Sequence, residues 1–425
     1  MTVTPRSSNP GKIETVQIVS NKEPRKDISL LGGLISLVYF ESIVSDTVRA
    51  TVTFADTGVV KGDATGGVSV LEGLPIVGEE RVKIKFEDNN EVKIGDKPEL
   101  TLYVNKVTPL SDDTTKTLVQ LDLVSKEFIL NEKTRITKRY DGNISDNVNK
   151  LLTDSNSIGL KTEKNVDVEE TSNNFNYIGN NKKPFYVINW LSKKAISAQN
   201  QKKGKSAGFF FFETSEGFHF KSIDTLFSQK QKKSIIYNET PGTPEGYDLK
   251  ALSYSKDNMV NAQEKLRMGA FSTRTILFDP FTTYYEVITP NSNANEDDLK
   301  LGGKNLPVMN PEFNQEGRNK EFSRTTYYLL DKGTLATGDT NQQLEKKNEE
   351  NFEYSQILNQ SIMRFNQVFS SRATVTIPGD FSLHAGDMIY LDVPQLERDK
   401  TKNVSKQNSG LYIIAELTHL VDTNG

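Results

Sequence analysis

Histidine is the side chain most often used for proton transfer near neutral pH, and this chain has three of them, His219, His384 and His419. His219 and His419 each lie in a strand-like stretch, where we interpret them as structural residues. His384 lies in a predicted turn without a metal-ligand residue beside it. Three scattered histidines do not have the spacing of a metal site, and the absence of cysteine removes thiol nucleophiles, disulfides and cysteine-based zinc sites. The sequence therefore predicts no catalytic residue, no metal site and no cofactor.

Two other catalytic patterns are weak. Gly204-Lys205-Ser206 resembles the end of a phosphate-binding loop, but Gln199 stands five positions before Gly204, where that loop requires glycine. Cleavage of glycosidic bonds requires two carboxylates across a cleft, which a sequence does not show. The adjacent carboxylates of this chain lie in polar surroundings that are typical of a solvated surface: Asp112-Asp113, Glu169-Glu170 and Asp297-Asp298.

Basic residues are concentrated between Lys182 and Lys233, where eleven lysines accompany three acidic residues. The ordinary interpretation is a solvated surface that keeps an assembling protein soluble. The alternative is a basic patch that meets an acidic partner or passing nucleic acid. The candidate interface residues of this patch are Lys202, Lys203, Lys205, Lys230, Lys232 and Lys233.

The length of 425 residues suggests two to four domains. With 52 basic and 56 acidic residues the net charge is −4, so no overall field draws the chain to nucleic acid or to a membrane. The longest mostly apolar run, Ile28 to Phe40, is interrupted by serine and glycine and is too short to span a bilayer. Because Met1 to Arg6 lacks a signal-peptide core, we expect a soluble protein that is assembled where it is made, without membrane insertion.

The elements that position these residues are mainly strands. Met1–Gly11 is rich in serine, proline and asparagine and is expected to be a flexible arm. Residues 12–125 alternate apolar and polar side chains in several short runs, as in Val48 to Phe54, where Val48, Ala50, Val52 and Phe54 share one face. Many short strands separated by turn signals favour an antiparallel barrel or sandwich.

Residues 126–206 are predicted to form a small α+β domain. One helix is expected from Ser145, placed as its N-cap, to Leu152, and another from Pro184 to Ala195. Strands then resume in a hairpin formed by Gly208–Glu213 and Phe218–Ile223.

Residues 256–364 are polar and predict an insertion domain with long loops, which a helix over Asn351–Ser370 follows. Three C-terminal stretches are predicted strands: Ala373–Asp380, Ala385–Val393 and Gly410–Val421. The last has apolar side chains on both faces, which indicates a strand buried on both sides. We expect it to close a second barrel, built from 207–255 and 365–425, that the Phe209–Ile223 hairpin begins.

Several of these stretches together resemble a known family. They are Pro184-Phe-Tyr-Val-Ile-Asn-Trp-Leu-Ser-Lys-Lys-Ala195, the hairpin from Gly208 to Leu226, Val375-Thr-Ile-Pro-Gly379, Leu383 to Ile389, and Gly410 to His419. In this order they resemble the baseplate central hub proteins of contractile, T4-like phage tails. The motifs are structural, and none carries a catalytic signature.

The resemblance implies a mainly β fold with two tail-tube-like antiparallel barrels per chain and smaller α+β accessory domains. It also implies a non-enzymatic homotrimer whose pseudo-sixfold ring joins a hexameric tail tube to a trimeric central spike and lines the DNA ejection channel. The implied neighbours are the spike, the tube or tube-initiator protein, the tape-measure protein and the baseplate wedge, in a virion assembled in the host cytoplasm. DNA would only pass through the channel.

Two alternatives remain open from the sequence. The same architecture also suits the hub of a bacterial contractile injection system. A protein of a different class, a carbohydrate-binding or glycoside-cleaving tail protein, is suggested by the many tyrosines and asparagines in polar stretches.

Overall fold

A computed structural model describes residues 11–21, 27–58, 60–61, 67–74, 76–88, 92–94, 99–154, 159–199, 207–238, 242–257, 262–268, 273–279, 283–288, 312, 324–329, 334, 338–350, 354–369, 371–394, 405 and 408–422. The predicted arm, except for Gly11, and parts of the predicted 256–364 insertion lie outside these residues. Within the described ranges, no helix is long and apolar enough to cross a membrane.

The first half of the described chain is rich in strands. Its elements are β1 (Lys12–Val19), β2 (Asp27–Ser29), β3 (Leu34–Ser42), β4 (Arg49–Asp56), β5 (Val60–Lys61), β6 (Gly67–Val68), α1 (Val70–Gly73), β7 (Arg81–Glu87), β8 (Leu100–Asp112), β9 (Thr117–Val124), α2 (Lys126–Lys133), β10 (Arg139–Tyr140), α3 (Ile144–Thr153), β11 (Val166–Val168), β12 (Tyr177–Ile178) and α4 (Pro184–Ser192).

The second half continues with shorter strands and two longer helices. Its elements are β13 (Phe209–Thr214), β14 (Gly217–Ser222), α5 (Ile223–Ser228), β15 (Lys233–Ile236), β16 (Leu249–Lys250), β17 (Ser253–Lys256), α6 (Ala262–Met268), β18 (Thr273–Asp279), β19 (Tyr284–Ile288), β20 (Arg324–Leu329), α7 (Thr340–Glu350), α8 (Tyr354–Val368), β21 (Ala373–Thr376), β22 (Met388–Asp392), β23 (Gly410–Ile413) and β24 (Glu416–Asp422).

The largest unit is a curled antiparallel sheet of eight strands in the order β2-β1-β7-β8-β9-β4-β3-β24. Its inward residues alternate along each strand, so that Val52 of β4 lies between Leu37 of β3 and Leu121 of β9, and all three are buried. Each such side chain contributes roughly 1.5–3 kcal/mol when it leaves water. The mainly β fold class predicted from the sequence is confirmed.

Register shifts bend this sheet. One lies in β1 between Ile13 and Thr15, one in β3 between Leu34 and Ser36, and two in β8, at Val104/Lys106 and Pro109/Ser111. An extra residue in one strand increases the local twist, which curls the sheet into a half-barrel. Pro109 is tolerated because β8 pairs with β7 only as far as Tyr103, so the side of Pro109 away from β9 lacks a strand partner among the described residues.

A second core joins helices to the phenylalanine-rich hairpin. Phe209 and Phe211 of β13 stack on Phe220 and Phe218 of β14, with ring centroids 4.8 and 5.8 Å apart, and α4 packs Phe185 against them. The alternate residues Phe210 and Phe212 point to the opposite side, into a cluster with Ile43 and Leu226. The run of four phenylalanines is therefore a strand that is buried on both faces.

The helix predictions are largely confirmed, with one error at a cap. A helix does begin at Pro184, although it ends at Ser192. The other begins at Ile144 after Asn143, so the prediction of Ser145 as its N-cap is wrong. Ser145 lies inside the helix, where its hydroxyl accepts a 3.3 Å hydrogen bond from the backbone N–H of Thr171.

The C-terminal strands are arranged differently from the expected second barrel. Strand β15 runs parallel to β16 and β22, β22 pairs with β23, and β17 pairs separately with β21. The Phe209–Ile223 hairpin does not join them within the described residues; it forms its own sheet with β11. Among the described residues the hairpin and the C-terminal strands thus lie in different sheets, and their membership of one second barrel stays a prediction.

The last predicted strand, Gly410–Val421, is two strands in two sheets. At Ile414 the backbone bonds to Gly386 and Asp387, at 2.8 and 2.9 Å, and the carbonyl of Ala415 accepts from Ile43 N–H at 3.0 Å. The chain then continues as β24 along β3 of the first sheet. The prediction that this stretch is buried on both sides was also wrong, since Leu420 is 65% exposed.

The register of β24 can be tested with two neighbouring substitutions. Val421 packs into the core of the eight-stranded sheet and is 7% exposed, whereas Leu420 points outward. We expect Val421→Asp to lower the free energy of unfolding by more than about 2 kcal/mol, because it buries an unpaired charge. The control Leu420→Thr should cost less than about 1 kcal/mol. Equal losses in urea titrations would contradict this register.

Candidate functional site

The candidate interface lysines fall into two groups. Lys202, Lys203 and Lys205 lie outside the described residues. Lys232 Nζ lies 2.8 Å from Asp387 Oδ2, and Lys233 Nζ lies 3.9 Å from Asp380 Oδ2. Two of the described lysines therefore have carboxylate neighbours that come from the C-terminal part of the chain.

Lys230 completes the described group; it is exposed and lies two residues after the end of α5. The acidic partners of Lys232 and Lys233 lie about 150 residues away in the sequence. The excess of lysine between Lys182 and Lys233 therefore did not indicate that these two lysines have acidic neighbours. A role of these lysines in an interface stays a prediction.

The two strand histidines have ordinary structural neighbours. His219 Nε2 lies 2.9 Å from Thr214 Oγ1, and its other ring nitrogen lies 3.7 Å from Asp167. His419 is buried, with its ring stacked on Tyr39 at 6.3 Å and edge-on to Phe381 at 4.8 Å. Both rings fill space between neighbouring strands.

His384 belongs to a buried polar cluster that we call the Glu41 joint, consisting of Tyr39, Glu41, Ser215, Glu216 and His384. The side chain of Glu41 is fully buried. Its carboxylate accepts hydrogen bonds from Tyr39 Oη at 2.9 Å and from the backbone N–H of Ser215 at 2.7 Å. It accepts a further bond, at 3.0 Å, from the backbone N–H of Ala385. The joint thus connects β3, the turn between β13 and β14, and the loop before β22.

The electrostatics of the joint favour charged groups. His384 Nδ1 lies 3.5 Å from Glu41, and its Nε2 lies 3.4 Å from Glu216. Burial alone lowers the pKa of His384, but its hydrogen bonds to Glu216 and Glu41 outweigh burial and raise the pKa to about 9. The hydrogen bond from His384 in turn lowers the pKa of Glu216 to about 2. Burial raises the pKa of Glu41, but bonds from His384, Ala385 and Ser215 outweigh it and lower the pKa overall.

The same cluster contains the residue types of a hydrolytic triad. Ser215 Oγ lies 3.4 Å from His384 Nδ1. The raised pKa of His384 favours its protonated form at neutral pH, and in that form it does not accept the proton of a serine hydroxyl. The geometry supports a charged structural joint. Among the described residues, no group of three or more His, Asp or Glu side chains could hold a metal ion.

A second buried charge network lies beside the joint. Glu213 of β13 is fully buried and accepts a 3.0 Å hydrogen bond from the backbone N–H of Val48, the residue before β4. Lys164 forms a short ion pair with Glu213 and lies 2.9 Å from Glu127. Burial raises the pKa of Glu213, and the nearby Lys164 opposes that increase. This network connects the hairpin to α2 and to the eight-stranded sheet.

Sequence reasoning missed the joint because its partners are far apart along the chain. Glu41 and Ala385 are separated by 344 positions. One signal was present: Glu41 occupies an inward position of an alternating strand, in line with Leu37 and Tyr39. A charged residue on a core face indicates a buried partner, although it does not say which one.

Comparison with known proteins gives structural similarities at low sequence identity. The sequence matches no protein-family model and no curated protein. The chain is similar to the 43 kDa tail protein of prophage MuSo2 from Shewanella oneidensis, with a TM-score of 0.49 and 9% identity over 97% of this chain and 95% of that one. It is also similar to a tail protein from Neisseria meningitidis MC58, with a TM-score of 0.48 and 7% identity over 98% and 94%.

A third similar structure comes from a secretion system. It is the Escherichia coli c3393 protein, described as a component of the type VI secretion system that is structurally similar to the T4 tail proteins gp27 and gp5. The TM-score is 0.33, with 12% identity over 60% of this chain and 57% of that one.

The raised pKa of His384 predicts a loss of stability at alkaline pH. The folded protein holds the His384 proton up to about pH 9, whereas the unfolded chain releases it near pH 6.5, so the stabilisation is complete below pH 6.5 and is lost as pH rises toward 9. We expect a loss of about 1–3 kcal/mol over this window, since Glu216 is half exposed and screened. His384→Gln should flatten this part of a denaturation-versus-pH profile; an unchanged slope would contradict the assignment.

His419 predicts a separate loss at acidic pH. Burial lowers its pKa to about 4, so from pH 6.5 downward the unfolded chain binds a proton that the folded chain refuses. Stability should therefore fall as pH decreases from 6.5 to 4. We expect His419→Phe, which keeps a ring beside Tyr39, to reduce this slope in thermal melts. A slope equal to that of the wild type would show that other groups control acid unfolding.

Proposed function

We propose that this chain is a non-enzymatic structural subunit of a contractile tail, the hub between the tail tube and the central spike. Support comes first from the sequence resemblance in the stretch Pro184–Ala195 and the hairpin that follows. In the structure these stretches are α4 and β13–β14, which share one core. Segments that resemble a helix-then-hairpin core thus do pack as a unit.

One observation carries the proposal further: the eight-stranded sheet is curled but open. Its edge strands, β2 and β24, each lack a second strand partner within the described residues. An uncovered strand edge promotes association, and proteins usually cover it. A closed ring of identical subunits covers such surfaces without leaving any copy incomplete.

The finer details of the proposed role are those that the resemblance to phage baseplate hub proteins implies. Three copies form a pseudo-sixfold ring, each contributing a tube-like domain from 12–125 and another from 207–255 with 365–425, while 126–206 and 256–364 are accessory. The ring contacts the spike, the tube or its initiator, the tape-measure protein and the wedge, and it lines the channel through which DNA leaves. The protein would belong to the virion tail and assemble in the host cytoplasm.

The mass of the purified protein tests the oligomer. We expect sedimentation at micromolar concentration to give three times the mass of one chain. A chain lacking Gly410–Gly425 loses β23 and β24, which leaves the edge of β3 and its core uncovered, so it should not trimerise. A stable full-length monomer would contradict the proposal. A truncated chain that still trimerises would show that β24 is dispensable for assembly.

A further inference from the structure

Helices cover one side of the three-stranded sheet formed by β19, β18 and β20. Thr275 and Leu277 of β18 are fully buried on this side, and Leu277 packs in one core with Leu358 and Ile362 of α8. Tyr328 of β20 lies beside Leu277 and packs against the same core. Because side chains alternate along a strand, the remaining residues point to the opposite side, which we call the outer face.

The outer face carries two cross-strand rows of large apolar side chains. One row consists of Tyr285, Phe278 and Leu329, and the next consists of Val287, Ile276 and Tyr327. Five of these six side chains are exposed, from 41% for Phe278 to 72% for Tyr327. Contiguous apolar side chains that are exposed in this way usually mark a surface that another molecule covers.

The composition of the outer face suits a protein partner. Three neighbouring strands present a surface about 10 Å across, which is not the concave pocket that small molecules prefer. Tyrosine and phenylalanine among aliphatic side chains are typical of the centre of a protein interface. The next row of the face holds Arg274 and Thr325, so its described residues include one cation and no carboxylate.

A groove elsewhere on the chain also collects exposed apolar side chains. It has a volume of about 1380 Å³ and lies between β21, β23, β24 and one face of β15 and β22, to which Ile235, Ile389 and Leu391 belong. Four exposed apolar side chains line it: Val44, Leu252, Leu411 and Leu420. Of the sixteen large apolar side chains that are exposed in the described part of the chain, nine therefore lie on the outer face or in the groove.

The charges of the two surfaces are complementary. One guanidinium, that of Arg372, lines the groove together with four carboxylates, those of Asp88, Asp257, Asp380 and Glu416. Basic neighbours compensate part of this charge, since Arg372 Nε lies 3.7 Å from Asp257 and Lys233 Nζ lies 3.9 Å from Asp380. A surface without carboxylates, such as the outer face, fits this groove better than an acidic surface does.

The outer face and the groove of one chain lie on different sides of the β19-β18-β20 sheet. Helix α8 packs on the covered side of this sheet, and Val368 and Phe369, at the end of α8, line the groove. The groove is therefore on the α8 side, and the outer face points away from it. The two surfaces can then meet between two copies of the chain and not within one.

We propose that the outer face of one copy packs into the groove of the next copy. This inference rests on the proposed ring, because a contact between two different surfaces of identical chains continues from copy to copy and can close on itself. A contact about a two-fold axis would instead pair the outer face with itself and leave the groove uncovered.

Because the chain has no cysteine, engineered thiols test this contact without background. Tyr327→Cys on the outer face is combined in the full chain with Leu252→Cys or with Leu411→Cys in the groove. The matched control combines Tyr327→Cys with Leu110→Cys, which is 52% exposed and lies on neither surface. After mild oxidation, non-reducing electrophoresis separates covalent dimers and trimers from single chains.

We expect at least one groove combination to give covalent dimers and trimers at about tenfold or more the yield of the control, because a fixed contact raises the effective thiol concentration. A yield equal to that of the control would overturn the proposal. Dimers formed equally well by Tyr327→Cys alone would assign the outer face to a two-fold contact. A disulfide confined to single chains would place the contact within one chain, and either of these results would also overturn the proposal.

Sedimentation of the same variants before oxidation separates this inference from the proposed ring. Trimers that cross-link no better than the control would overturn the contact between the outer face and the groove and leave the ring proposal intact. A stable monomer at micromolar concentration would contradict both.

A second measurement does not depend on thiols. Tyr327→Glu combined with Leu329→Glu places two carboxylates on the outer face, opposite the acidic groove. Both residues are exposed, so we expect an unchanged far-ultraviolet circular dichroism spectrum but association at least about tenfold weaker in sedimentation. The control Val77→Glu, at an exposed residue outside both surfaces, should change association less than about twofold. Unchanged association of the double variant would overturn the proposal.

Discussion

The architecture depends on satisfying one buried carboxylate. Glu41 lies on the core face of β3 with no exposure to water, and an unpaired charge there would be strongly destabilising. Its partners come from β3 itself, from the turn after β13 and from the loop before β22. The Glu41 joint therefore fixes how the first sheet, the phenylalanine hairpin and the C-terminal strands meet. His384 completes it with a positive charge held between two carboxylates.

Local features of the fold were predictable from the sequence, and long-range pairings were not. The alternation of apolar and polar residues identifies β4, and the proline at its first position identifies α4. Both signals are local, because they depend only on residues that are close in the sequence. Alternation in Gly410–Val421 identifies strands but not their partners, so the crossing from β22 to β3 at Ile414 was missed. Nothing in the sequence indicates that the candidate interface residue Lys232 lies next to Asp387. The Glu41 joint could not be predicted for the same reason, since its residues are far apart in the sequence.

The crossing of the last strand has consequences for assembly. Because the chain leaves the C-terminal sheet after β23 and pairs as β24 with β3, it connects the C-terminal strands to the first sheet. One half of the molecule therefore cannot move far from the other without breaking backbone hydrogen bonds. Such a connected unit, with an open curled sheet, suits the proposed role as a ring subunit. The proposed hub role follows from strand edges that need covering.

We propose that this open-edged chain is a ring subunit, and an image of the purified full-length protein is the decisive test. Negative-stain electron microscopy with two-dimensional averaging should show ring-shaped particles with threefold symmetry and an open centre. Uniform compact particles of the size of a single chain, without a central opening, would contradict the proposal that the chain is a ring subunit.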